Sequence, residues 1–194
     1  MRITFKKIKY KNILSTGNTF TTIDFDTKPT TLVSGANGAG KSTLLDAVVY
    51  GLYDRAFRKV NKVQLINTIN AKELLVELYF SAGGKNYMIR RGMRPAVFEI
   101  WQDGAMINQD AAKKDYQTYL EQSILGINYR SFNQIVVLGS ATYIPFMELN
   151  AGQRRIIIED LLDIQVFSTM GVLAKNTMSE NILINHVLTV EIIS

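Results

Sequence analysis

Between Gly35 and Thr43 the chain reads "GANGAGKST", with Gly35, Gly40, Lys41 and Ser42 at the spacing G-x-x-x-x-G-K-S. These residue types at this spacing handle phosphate. Glycines let a backbone turn through conformations closed to other residues, so the successive amides of Gly35, Ala36, Asn37, Gly38, Ala39 and Gly40 converge on anionic oxygens. Lys41, the candidate catalytic residue, would reach the β- and γ-phosphates. Ser42 would give its hydroxyl to Mg²⁺, and Thr43 closes the set of binding residues. A helix beginning at this point aims the positive end of its dipole at the same oxygens. The expected cofactors are therefore ATP and Mg²⁺.

Such a loop works only between a strand and a helix. The sequence offers both: "TTLVSG" is apolar and β-branched and reads as a strand entering the loop, while Leu44, Leu45, Val48, Val49 and Leu52 recur at helical spacing after it. Upstream, "RITFKKIKYKNIL" and "NTFTTIDFD" read as two strands of an antiparallel hairpin separated by Ser15, Thr16 and Gly17. Downstream, "ELLVELYF", "KNYMIRR" and "AVFEIWQ" read as further strands turning at Gly83-Gly84 and, after the third, at Asp103-Gly104, which makes a β-meander. From Asp110, "DAAKKDYQTYLEQSILG" predicts a helix stopped by Gly126. "FNQIVVLG" is an apolar, β-branched run, and "AGQRRIIIEDLLDIQVF" pairs Ile157 with Leu161 and Ile164 in helical register. The tail from Met170 reads as a long helix with a weak apolar seam. These elements place the chain in the α/β class, as a phosphate-loop NTPase with an antiparallel meander and helices.

Composition narrows the chemistry further. The chain of 194 residues has no cysteine and one histidine, His186, so it offers neither disulfides nor thiolate or histidine metal clusters. The N-terminal stretch lacks the apolar core of a signal peptide, and no run is long enough to span a bilayer, so the expectation is a cytoplasmic protein with no membrane partner. The net charge of +5 is dispersed through "KKIKYK", "RAFRK" and "RRGMR". That pattern could meet a polyanion, but a solvated surface is the simpler reading, since no long basic run or aromatic stacking platform accompanies the charges, and no base-specific reading is expected. "NAGQRRIIIED" imitates both a transporter signature loop and an acidic strand end, but the two are fused with no room for a helix between them, and a helix start is the simpler reading.

Hydrolysis would also need an acidic residue near Mg²⁺, and no strand of four apolar residues ends in Asp-Glu. The order of hairpin, loop, meander, helix and "IVVLG", together with "KSTLLDAVVYGLYD", resembles the amino-terminal lobe of the ABC/SMC-type ATPase head. Within that group "QLINTINAKELLVELYF", "RRGMRPAVFEI" and "SFNQIVVLGSATYIPFMEL" resemble SbcC-type DNA repair ATPases, among them the large subunits of T-even phage recombination endonucleases. The resemblance implies residues 1–165 as an ATP-binding head lobe and 166–194 as the start of a coiled-coil helix. It also implies three partners: a carboxyl-terminal ATPase lobe or second head that completes a dimeric site, a metal-dependent nuclease subunit, and DNA. On this expectation hydrolysis takes place only with that second lobe. Two positions depart from the pattern: Leu138 stands where most of the family places a Mg²⁺-touching glutamine, with Gln134 as a substitute only if the segment bends, and Leu14 stands where many relatives carry an arginine. A small phosphotransferase and a non-hydrolysing nucleotide-binding fragment are the alternative readings.

Overall fold

Alternation along the strands becomes two faces of one sheet. In the computed structural model, which describes residues 2–28, 30–58, 60–107, 113–137, 144–162, 164, 170–171 and 173–179, six antiparallel strands lie in the order β2-β1-β3-β4-β5-β6. They are β1 (Ile3–Lys11), β2 (Thr21–Asp24), β3 (Leu74–Ala82), β4 (Lys85–Met93), β5 (Val97–Gln102) and β6 (Ala105–Met106). The entry hairpin is present, with Tyr10 opposite Thr21, and so is the meander, with Ala82 opposite Lys85 and Gln102 opposite Ala105. Two of the three meander turns fall on the dipeptides read from the sequence, Gly83-Gly84 with φ 57° and 80° and Asp103-Gly104 with Gly104 at φ 86°.

On β3, Leu74, Val76, Leu78, Phe80 and Ala82 are buried, and the residues between them are half-buried. The buried side joins Ile8, Tyr10, Ile89 and Ile100 of the neighbouring strands in one core with α1 (Lys41–Tyr53). Gly51 eases this packing: a Cβ there would stand 3.2 Å from Val76 Cγ1, a tight contact that Val76 would have to yield to by a few tenths of an ångström. The opposite side of the sheet carries polar ladders. Arg90 pairs with Glu77 at 3.6 Å and with Glu99 at 3.7 Å, each on a neighbouring strand.

The far end of α1 is tied down by Arg91, which points inward although its neighbour Arg90 points outward. Its side chain is 1% exposed; it donates to the carbonyls of Gly51 (2.9 Å) and Leu52 (3.5 Å) and to Gln117 Oε1 (2.7 Å), and stacks 3.8 Å from the Phe98 ring centroid. Burial draws the guanidinium below its ordinary value to about 10, against the opposing pull of the Asp54 carboxylate. Gln117 belongs to α2 (Lys113–Tyr119), which continues as a π-helical turn over Leu120–Leu125 and stops at Gly126.

One sequence expectation needs correction. The segment "TTLVSG" is not a strand: residues 30–36 join no sheet among the described residues, and Leu32 is 90% exposed. A strand exists only against a hydrogen-bonding neighbour, and none of β1 to β6 pairs with this segment. The run "FNQI" is helical, within α3 (Tyr129–Ile135), because Asn128 caps it by accepting from the Ser131 amide at 3.0 Å.

The described residues from 144 onward belong to a second compact unit. There α4 (Ala151–Leu162) opens with a reciprocal cap: Asn150 Oδ1 accepts from the Gln153 amide at 2.8 Å, and Gln153 Oε1 accepts from the Asn150 amide at 3.3 Å. "NAGQRR" is therefore a helix start. The coiled-coil expectation falls largely outside the described residues, of which 173–179 are helical.

Candidate functional site

The helix α1 begins with no side chain to cap it. Its N-cap is Gly40, which makes no side-chain cap bond, and no acidic residue stands in the first turn. The positive end of the dipole therefore faces an open cavity of about 380 Å³. The loop before it bends through left-handed backbone at Gly38 (φ 86°) and Gly40 (φ 88°). A Cβ at Gly38 would meet nothing within 4 Å, and one at Gly40 would meet only ordinary contacts, the nearest being Thr43 Oγ1 at 3.7 Å. Glycine is needed there for the backbone angle, not for room.

Of the residues singled out from the sequence, Asn37, Gly38, Gly40, Lys41, Ser42 and Thr43 line the cavity. Gly35 and Ala36 contribute their carbonyls, which accept from Lys41 Nζ at 2.6 and 2.9 Å, so the ammonium folds back over its own loop. Ala39 sits beneath: its Cβ lies 3.3 Å from where a Gly35 Cβ would stand. An ammonium held by two neutral carbonyls gains by exchanging them for anionic oxygens.

Three further residues complete the lining: Leu14, Ser15 and Arg58. Leu14 and Ser15 come from the turn of the entry hairpin, so Leu14, read from the sequence as a departure from the resemblance, does reach the cavity. Arg58 arrives on the loop after α1 and is held by Asp46, whose side chain is 0% exposed. Its Nε donates to Asp46 Oδ2 at 2.9 Å, its Nη2 donates to the same oxygen, and its backbone amide reaches Oδ1 at 3.4 Å. The basic run "RAFRK" hinted at this cation without showing which arginine turns back. Gln134 does not line the cavity, and Leu138 lies outside the described residues. Among the described residues no group of three or more His, Cys, Asp or Glu could hold a metal, and no helix is long and apolar enough to cross a membrane.

Residues 7–165 match the model of a family described as the AAA domain. The chain belongs to the AAA domain family. It is 48% identical over 169 residues to "Exonuclease subunit 2" of Enterobacteria phage T4, covering 87% of this chain and 30% of that protein. It is 27% identical to the "Probable DNA double-strand break repair Rad50 ATPase" of Aquifex aeolicus, covering 80% of this chain and 16% of that protein. The chain thus spans less than a third of the length of these curated relatives. Among solved structures it resembles one described as "Structural biochemistry of ATP-driven dimerization and DNA stimulated activation of SMC ATPases", at 27% identity and a TM-score of 0.58, covering 81% of this chain and 99% of that one. The fold is that of an SMC-type ATPase head, as the order of hairpin, loop and meander implied.

Proposed function

We propose that this chain is the ATP-binding part of a DNA double-strand-break repair ATPase that regulates a partner nuclease. The observation that carries the reading is the uncapped start of α1, with its dipole and left-handed glycine loop open to a cavity and Lys41 folded beside it. The donor set fits a nucleotide triphosphate with Mg²⁺: backbone amides and Lys41 for the phosphates, and the exposed Ser42 of the first helical turn for the metal, whose other ligands would be phosphate oxygens and water. Bound Mg²⁺ would supply neutralisation of phosphate charge. Arg58, pinned by Asp46, presents a further cation to the same oxygens.

The relatives' names supply the setting: an exonuclease subunit and a double-strand-break repair ATPase. On this reading residues 1–165 are the head lobe, 166–194 begin a coiled-coil helix, and a second lobe or head supplies the group that activates water. Calorimetry with Mg-ATP tests the first half: the chain binds, and Lys41→Ala does not. Co-expression with the carboxyl-terminal lobe of a close relative tests the second. The pair should hydrolyse ATP where the chain alone turns over barely, and failure of the two to associate would overturn the head-lobe assignment.

A further inference from the structure

The turn of the entry hairpin is held in an unfavourable shape by contacts from residues far along the chain, and one side chain makes most of those that flank Ser15. Leu14 and Ser15 form the wall of the cavity opposite the phosphate loop, and Ser15 Oγ lies 4.0 Å from where a Gly40 Cβ would stand. Yet Asn12 and Leu14 both adopt left-handed backbone, at φ 52° and 51°. A branched residue such as Leu14 takes that conformation only where its surroundings impose it.

The imposing group is Asn67, 53 residues along the chain and 6% exposed. Its Nδ2 donates to the carbonyls of Leu14 (2.9 Å) and Thr16 (3.1 Å), the residues on either side of Ser15. Its Oδ1 accepts from the amides of Ile69 and Asn70, both at 2.9 Å, which fixes the amide plane. Its own backbone amide donates to the Asn12 carbonyl at 2.8 Å, and the Leu14 amide donates to Leu65 at 2.6 Å. Asn70 adds a bond from Nδ2 to Asn12 Oδ1 at 2.7 Å. Two donations and two acceptances from one planar group are what a carboxamide can make and what neither aspartate nor leucine can.

We infer that Asn67 is a positioning residue for nucleotide binding: it holds the Leu14–Thr16 carbonyls so that Ser15 forms a rigid wall facing the phosphate loop. The inference rests on the reading of the cavity as a nucleotide site. With the wall set in advance, the ligand need not order the turn as it binds.

The test is Asn67→Ala in the full chain, with Mg-ATP affinity read by calorimetry and the amide resonances of Ser15, Gly38 and Gly40 followed by NMR during the titration. The expected result is about a tenfold loss of affinity, with Mg-ATP still moving the Gly38 and Gly40 resonances while the Ser15 response collapses. A residue that served stability alone would lower the melting temperature and leave both affinity and the Ser15 response unchanged, which would overturn the inference. Should Asn67→Ala fail to fold, Asn67→Ser takes its place. A serine hydroxyl can still accept from the Ile69 and Asn70 amides but has no carboxamide to donate to both the Leu14 and Thr16 carbonyls, and it should weaken binding two- to threefold, with the Ser15 response reduced. Unchanged affinity in that variant is equally fatal. Failure of the unsubstituted chain to bind Mg-ATP would overturn the nucleotide reading together with this inference, whereas equal binding by Asn67→Ala and the unsubstituted chain overturns this inference alone.

Discussion

Substituting Gly40 separates backbone angle from space as the reason the loop is built from glycine. At Gly40 (φ 88°, ψ 14°) an added methyl has room, since its nearest neighbour would be 3.7 Å away. The penalty for Gly40→Ala is then conformational, about 1–3 kcal/mol for a side chain forced into left-handed backbone. The loop relieves that strain by leaving the phosphate-binding shape, so the penalty appears in affinity: about 5- to 140-fold weaker Mg-ATP binding, at about 1.4 kcal/mol per factor of ten. Gly40→Asn should fall between alanine and glycine, because asparagine tolerates this region better. Gly38→Ala, at φ 86° with nothing within 4 Å, should behave as Gly40→Ala does. Titration with a fluorescent ATP analogue reads all three, and thermal melting confirms that each variant is folded. Wild-type affinity in Gly40→Ala, or no advantage for asparagine over alanine, would refute the argument from backbone angle.

Other perturbations follow from the same contacts. Arg58→Ala strands the buried Asp46 carboxylate and should cost about 2–3 kcal/mol by urea denaturation, the lower end of the range for a broken buried pair because Arg58 is 42% exposed. The double replacement Asp46→Leu with Arg58→Met should recover most of that stability while still weakening Mg-ATP, and a double variant as unstable as Arg58→Ala would contradict this. DNA binding by the chain should be weak, indifferent to sequence and steeply reduced as salt rises, since it rests on dispersed lysines and arginines; filter binding across a salt series would show a sequence preference if this is wrong.

The sequence carried those parts of the fold that are encoded locally. Gly83-Gly84 and Asp103-Gly104 mark hairpins because their backbone angles are unavailable to most residues, and the phosphate loop announces itself for the same reason. What stayed hidden arrives by long-range return of the chain. Ser15 and Arg58 flank the cavity from opposite directions in the sequence, and nothing in "LST" or "AFRK" states where those turns point. Arg91 is a sharper case: alternation on "IRRG" sends one arginine to each side of the sheet, but only packing against α1 decides that Arg91 is the inward one. The misread "TTLVSG" shows the converse, since β-branched residues express a preference for pairing and cannot supply the neighbour.

That unpaired segment has a consequence for handling the protein. Both outer strands of the sheet are short, β2 with four residues and β6 with two, which makes the sheet a poor template for a second copy. The backbone of residues 30–36, with Leu32 and Val33 exposed, is the better template, and it runs directly into Gly35. Fibrillar or amorphous self-association and phosphate binding would then compete for one stretch of chain. Mg-ATP should act as an anti-aggregant for this protein by mass action, lengthening its lifetime in a light-scattering assay, and Lys41→Ala should forfeit that protection.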